Sequence, residues 1–314
     1  MCLTLAVATA AVFSLSSAVD TTLAVRQGME LQVANFAGSV TIRPWDKNAV
    51  RIQAEAEGRE KIAVKRDDDV LLIKAYSQRA AQHMVELEIT APSWMNLTVS
   101  GVNTDVDIEG TKGRVRVDTV HGDIVVVGGR GQIELNAINQ DIHLTDASGT
   151  VLSETVNGDL TLQRIASDSV EVSTVNGEIF YEGTIRDRGI YRFTSHNGDV
   201  AIALPKTANA TVNVSTFSGE FASDFPVMLS ETKPGRRFCF TLGRGSAQVQ
   251  LESFQGTIHI FRPGTRGSVA ELERGADRDQ DSKQKHREKQ KEKSDDSDSD
   301  SDSDSNYDSD ADGE

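Results

Sequence analysis

The sequence predicts an all-β chain whose main body is a parallel β-solenoid, or β-helix, with short coils of about 18–21 residues. Three observations predict it. One hexapeptide recurs, as in Thr119-Val120-His121-Gly122-Asp123-Ile124, Thr155-Val156-Asn157-Gly158-Asp159-Leu160 and Thr174-Val175-Asn176-Gly177-Glu178-Ile179. Variants stand at residues 137–142, 195–200 and 216–221, a weaker one at 101–106, and outlying copies at 36–40 and 253–258. The turn positions 104, 122, 140, 158, 177, 198 and 219 lie 18, 18, 18, 19, 21 and 21 residues apart. Apolar residues alternate before and after each turn, as in Val115, Val117 and Val120 and then Ile124 and Val126, with abundant Val, Ile and Thr, while residues 30–260 lack a helical period. An isolated Asn-Gly means a hairpin, so an antiparallel sandwich or barrel is the competing architecture. Even spacing favours stacking, because a single coil is too small to bury its own apolar face.

Each element follows from its composition. Residues 1–18 read as a signal peptide, with the apolar run Leu3–Phe13 and the small residues Ser16-Ser17-Ala18 before an expected cleavage after Ala18. No Lys or Arg precedes that run, and the alternative is a buried strand. Residues 19–97 form an N-terminal β-rich cap and a first repeat-like segment, with short strands expected at 50–52, 62–64, 70–73 and 85–89. Residues 98–263 are the solenoid repeats. Within them, residues 225–251 carry Pro226, Pro234 and Gly243, break the register, and suggest an inserted hairpin over the last coils. Residues 264–314 are a disordered charged linker and tail. From Ser294 to Glu314 there are ten acids and no Lys or Arg, a charge density with too little apolar surface to offset the entropy of ordering.

Stacking would turn the repeat into columns of like residues. Asn103, Asn139, Asn157, Asn176 and Asn197 would form an amide ladder, and Thr119, Thr155, Thr174, Ser195 and Thr216 a hydroxyl column, at ~4.8 Å spacing. Asp105, Asp123, Asp141, Asp159, Glu178, Asp199 and Glu220 would form an acid column. Each like-charged neighbour costs about 0.9 kcal/mol in water. Two readings follow: solvated carboxylates bonded to turn N–H groups, or a metal site in which successive coils hold calcium. No EF-hand loop or nonapeptide calcium array accompanies the column, so no cofactor is expected and calcium is the ion to test.

The formal net charge of −15 argues against nucleic acid as a partner, because phosphate binders present a basic surface. Residues 1–273 by themselves still carry −8. No run after the leader approaches the ~20 apolar residues of a membrane-spanning helix. After cleavage Cys239 would remain alone, within Phe238-Cys239-Phe240, where a small buried hydrophobe is expected. His121 and His196 fall at turns and His143 at an outward strand position beside Thr161, Gln163 and Arg164. Gly128-Gly129-Arg130-Gly131 lacks a following helix and reads as the second corner of a coil. No nucleophile elbow, zinc-protease helix or paired-Cys motif is present, and acids repeated in every coil suit structure better than a unique active site.

The recurrent Thr-Val-Asn-Gly-Asp/Glu unit, together with the opening Phe36-Ala37-Gly38-Ser39-Val40-Thr41-Ile42, resembles the DUF4097 family of bacterial β-strand repeat proteins, described as candidate adhesins. The resemblance covers residues 30–262 and departs from the pattern at Gln140 and at the 37-residue gap after Gly219. It implies an exported, non-enzymatic scaffold of the periplasm, envelope or extracellular space that binds a surface, a polysaccharide or an envelope protein, and it brings no catalytic residues. The alternatives are a carbohydrate-active β-helix enzyme, either lyase or hydrolase, and a periplasmic structural or signalling partner.

Overall fold

The computed structural model describes residues 12–15, 18–56, 61–76, 84–226 and 236–263, and no helix occurs among them. The expected charged tail and most of the expected leader lie outside the described residues. The N-terminal strands are β1 (Val12–Leu15), β2 (Ala18–Ala24), β3 (Glu30–Trp45), β4 (Ala49–Ala56), β5 (Lys61–Arg66), β6 (Val70–Tyr76), β7 (Val85–Pro92) and β8 (Asn96–Glu109). The repeats supply β9 (Val115–Asp118), β10 (Ile124–Val127), β11 (Gln132–Asn136), β12 (Ile142–Thr145), β13 (Thr150–Asn157), β14 (Leu160–Ile165), β15 (Ser169–Asn176), β16 (Ile179–Gly183), β17 (Ile190–Asn197) and β18 (Val200–Ala203). The chain continues through β19 (Ala210–Thr216), β20 (Phe221–Ser223), β21 (Arg236–Leu242), β22 (Ala247–Gln255) and β23 (Ile258–Phe261).

Each coil contributes one strand to each of two facing sheets. In the first sheet the first half of β8 pairs with β9, then β11, β13, β15 and β17 follow in parallel. In the second sheet the later half of β8 pairs with β10, then β12, β14, β16 and β18 follow in parallel. Strands β3 and β8 run unbroken through the turn and belong to both sheets. The sheets do not close into a barrel, and the solenoid expectation holds over the antiparallel one.

Alternation places one apolar set between the sheets: Val115, Val117, Ile133 and Leu135 from one side, Ile124, Val126, Ile142 and Leu144 from the other, all essentially without solvent exposure. Full burial of such side chains contributes about 1.5–3 kcal/mol each. Wider coils admit Tyr181, Tyr191 and Phe193, whose rings pack with Tyr181 4.9 Å from Phe193. The Tyr191 hydroxyl donates to the Ser167 carbonyl at 2.8 Å and accepts from the Arg186 amide at 2.9 Å, which makes its burial affordable. Burial pushes the phenol of Tyr181 strongly up, so it stays neutral.

The expected hydroxyl column exists and points inward, with Ala137 standing between Thr119 and Thr155 and Ser253 inserted between Ser195 and Thr216. Thr119, Thr155, Thr174 and Ser195 are all buried, and the last three donate to the turn carbonyls of Gln140, Gly158 and Gly177 one coil below, at 3.2, 3.3 and 3.0 Å. Val120 therefore does not join Val115 and Val117 inside. The inward series is Val115, Val117, Thr119, and the valine faces outward. At the turn itself a Cβ on Gly177 would overlap the Gly158 carbonyl oxygen, and one on Gly198 would overlap that of Gly177, so close stacking requires glycine. Thr104 stands where the later coils, except that of Gln140, have glycine, and its buried hydroxyl donates to the Asn35 carbonyl at 3.2 Å. Its side chain fits because Gly101 stands where later coils have the hydroxyl residue: a Cβ on Gly101 would lie 2.6 Å from that of Thr104.

The second corner was only partly foreseen. Gly110, Gly128, Asp146 and Arg164 occupy equivalent corner positions 18 residues apart, all with left-handed φ of 62°, 83°, 57° and 52°. For Asp146 and Arg164 that conformation costs about 1–2 kcal/mol each, opposed by the bidentate pair they make at 2.7 and 2.8 Å.

Spatial order leaves chain order at both ends. At the C-terminal end β22 and β23, from the last coil in the chain, lie directly on β17 and β18. The earlier coil of β19 and β20 stacks outside them. Strand β21 then covers β19 antiparallel, as expected of a covering segment, but β22, which begins inside the expected hairpin of residues 225–251, is instead a parallel rung within the stack. Alternation turns Phe238 and Phe240 toward Phe221 and leaves Cys239 exposed, against the expectation of a buried thiol. At the N-terminal end β3 likewise sits between β8 and the later pair β6 and β7. Strands β4 and β5 cover β7 and β6 antiparallel, and β2 and β1 are outermost. The expected leader thus overlaps β1 and the first residue of β2.

Candidate functional site

The turn between the two sheets gathers the chemistry that repeats in every coil. The amide ladder forms over Asn139, Asn157, Asn176 and Asn197, each donating to the one below at 2.7–2.8 Å. His121 takes the lower end, 3.4 Å from Asn139, and Gln255 stacks above Asn197. Asn103 opposes His121, so the ladder does not extend to it as an amide column.

The acid column is present with one interruption. Asp105 Oδ1 accepts the Asp123 amide at 3.0 Å, Asp123 that of Asp141 at 3.4 Å, Asp141 that of Asp159 at 2.7 Å, and Asp159 that of Glu178 at 2.7 Å. Asp199 accepts from Thr257 at 2.6 Å, because the last coil has inserted there. Glu220 is consequently one coil further out, separated from Asp199 by Thr257. Each of these aspartates bonds an N–H of the next coil, which gives the column a role in holding register. Burial first, and then the charge of Asp141, push the Asp123 carboxyl above the usual carboxylate range. Among the described residues no three His, Cys, Asp or Glu side chains converge on one point as metal ligands.

Beside these columns runs a feature the sequence reading missed. The residue between the buried hydroxyl and the turn Asn points outward in every coil. Ile138, Val156 and Val175 are 43%, 40% and 42% exposed, and Phe217 is 66% exposed. In spatial order the row is Phe36, Val102, Val120, Ile138, Val156, Val175, His196, Phe254 and Phe217. The last three rings stack, with centroids 4.7 Å apart and planes within 5°. The result is an apolar ridge along the turn edge, one rung per coil. The signal was available as an apolar residue directly before each turn Asn, but it was counted with the inward set.

A groove of about 550 Å³ follows the aromatic end of the ridge. Ser173, Thr194, Glu252 and Ser215 form its other wall, with Arg237 at one end, where its Nε donates to Ser215 at 3.3 Å. A glycosidase uses two carboxyl groups flanking the scissile bond, and Glu252 is the carboxylate in this lining. His143, Thr161 and Gln163 lie half-exposed on the outer face of the second sheet, and Arg164 is exposed at its corner. Among the described residues no helix is long and apolar enough to cross a membrane.

The solved structures that resemble this chain at low identity include two candidate adhesion proteins. One is a candidate cell adhesion protein from Clostridium sporogenes ATCC 15579, at 9% identity over 78% of this chain and 99% of that one, with a TM-score of 0.24. The other is a candidate adhesin from Parabacteroides distasonis ATCC 8503, at 10% identity over 78% of this chain and 97% of that one, with a TM-score of 0.28. No curated protein matches the sequence. The sequence model of the Toastrack DUF4097 family spans residues 29–261, every rung from β3 to β23, and the chain belongs to that family.

Proposed function

We propose that this chain is an exported, non-enzymatic scaffold of adhesin type that binds an envelope or extracellular surface through the turn edge of its stack. The ridge carries this reading. It repeats one apolar group per coil over most of the molecule, and a row of identical weak contacts at fixed spacing suits multivalent attachment. Apolar side chains are held at the surface in one contiguous row, which marks interaction surfaces generally. Export rests on residues 1–18, with the mature chain beginning at Val19. Neither a carbohydrate-active enzyme nor a signalling partner gains a specific observation from the site.

The test has two parts. N-terminal sequencing of the protein from fractionated cells should give Val19 outside the cytoplasm; an intact N-terminus in the cytoplasm would overturn export. Beads carrying the full chain should be retained on envelope preparations, and the double variant Val156→Asp and Val175→Asp should lose most of that retention. Unchanged retention would remove the ridge from the function.

A further inference from the structure

We propose that the ridge is a docking track for a basic amphipathic helix of a partner protein. The proposal rests on the ridge being the binding face, and it names the chemistry of what binds there.

The occupant follows from what flanks the apolar row. On one side lie Asp105, Asp123, Asp159, Glu178 and Asp199, all exposed, and the half-buried Asp141, with Oδ1 of the aspartates bonded to backbone. On the other side the outward row is mostly neutral and polar, with Asp118, Glu154 and Glu252 interspersed among Ser100, Asn136, Ser173, Thr194 and Ser215. Nearby cations are engaged: Arg116 with Asp118 at 2.8 Å and also with Glu134, and Arg192 with Glu171 at 3.7 Å. An apolar row bordered by an acid column on one side and a polar row with scattered acids on the other is complementary to an apolar stripe flanked by positive charge. A second copy of this chain fits poorly. Antiparallel packing of two ridges would bring acid column against acid column, and parallel packing would bring it against Asp118 and Glu154.

A helix fits better than an added strand. The turn amides beside the ridge are already bonded from coil to coil, so no open backbone edge remains there for strand addition. Side chains alone are offered, spaced ~4.8 Å apart along the stack. An amphipathic helix returns its apolar face every ~5.4 Å, close enough for its stripe to lie along the rungs. From Val102 to Phe217 the ridge is about 34 Å long, the length of a helix of roughly 22 residues.

The experiment uses the full chain and three fluorescein-labelled 22-residue peptides read by anisotropy. One has Leu at helical i, i+3, i+4, i+7 spacing with Lys elsewhere; the second has the same composition scrambled to destroy the stripe; the third replaces Lys by Glu. The first should bind at least tenfold tighter than the scrambled peptide, and the third should not bind. The triple variant Ile138→Ser, Val156→Ser and Val175→Ser, checked for an unchanged melting temperature, should bring the first peptide down to the scrambled level and leave the scrambled peptide where it was. Equal binding of striped and scrambled peptides, or an unchanged affinity for the triple variant, would overturn the proposal and leave non-specific capture of cations by acidic segments. If ridge variants abolish surface retention while the Leu/Lys helix fails to bind, this proposal falls and the adhesive reading stands. If retention survives those variants, the reading itself falls.

Discussion

The middle of the stack and its two ends obey different rules. From β9 to β16 the chain climbs one rung at a time, and every rung meets the one before it and the one after it in sequence. At the ends the chain overshoots and comes back: β22 and β23 fill a slot between coils laid down earlier, and β3 is enclosed between strands that come later. Regular repetition suffices where each rung has a template on both sides. An end has an open edge, and here it is sealed by long-range returns and antiparallel covering strands, which protect it from pairing with other chains.

The strongest way to break the middle is at the glycine column. Gly177→Val should cost upward of about 4 kcal/mol, since the new side chain has no space against the Gly158 carbonyl. Gly28→Ala lies off the column with open space around it and should cost about 1 kcal/mol, from its positive φ alone. Urea unfolding would compare them; similar losses would mean the close approach is not what matters. Next, Leu251→Ala in the inserted coil and Leu144→Ala in the middle should each lose about 2–5 kcal/mol. Hydrogen exchange should distinguish them. Leu251→Ala should deprotect β19 and β21 with β22, whereas Leu144→Ala should loosen its neighbours on both sides; matching patterns would erase the distinction between end and middle.

Asn176→Ala removes two ladder bonds and should cost about 1–3 kcal/mol by thermal melting, with the end coils unaffected in exchange. Asp123→Asn keeps the acceptor for the Asp141 amide and removes a charge that burial and Asp141 disfavour. Because the folded state raises this pKa, protonation contributes stability that is fully present below the ordinary value of 3.8 and lost as pH rises through the raised one. The Asn variant should therefore be more stable at pH 7 by a few tenths of a kcal/mol, and the two curves should converge below about pH 4. A gap that widens on acidification would reverse this assignment. Last, millimolar calcium should leave the melting temperature unchanged, since the aspartate Oδ1 atoms are occupied by backbone amides; a clear rise would make the column a metal site.

The middle was legible because local chemistry repeats at a fixed interval. Asn-Gly-Asp and the hydroxyl before it mark each turn, and the 18-residue spacing places one turn over the next. The ends were not, because a turn motif at 253–258 looks the same wherever it stacks, and nothing local says which edge it joins. The ridge was hidden by a miscount of one: reading Val120 with Val117 skips the buried Thr119. Cys239 was misplaced for a related reason, since flanking phenylalanines suggest burial while alternation puts the residue between them outside.

The enclosed terminal coils also restrict how such a molecule can vary over generations. A unit appended after β23 would have no rung to join, since that strand is already flanked by β18 and β20. Lengthening is open only by duplication within the interior, between residues 115 and 203, where an inserted unit finds the same surface above and below. Gene duplication in the interior would lengthen the ridge in steps of one strand spacing, ~4.8 Å, and leave both seals intact. Reach, rather than composition, is the trait this architecture leaves free to evolve.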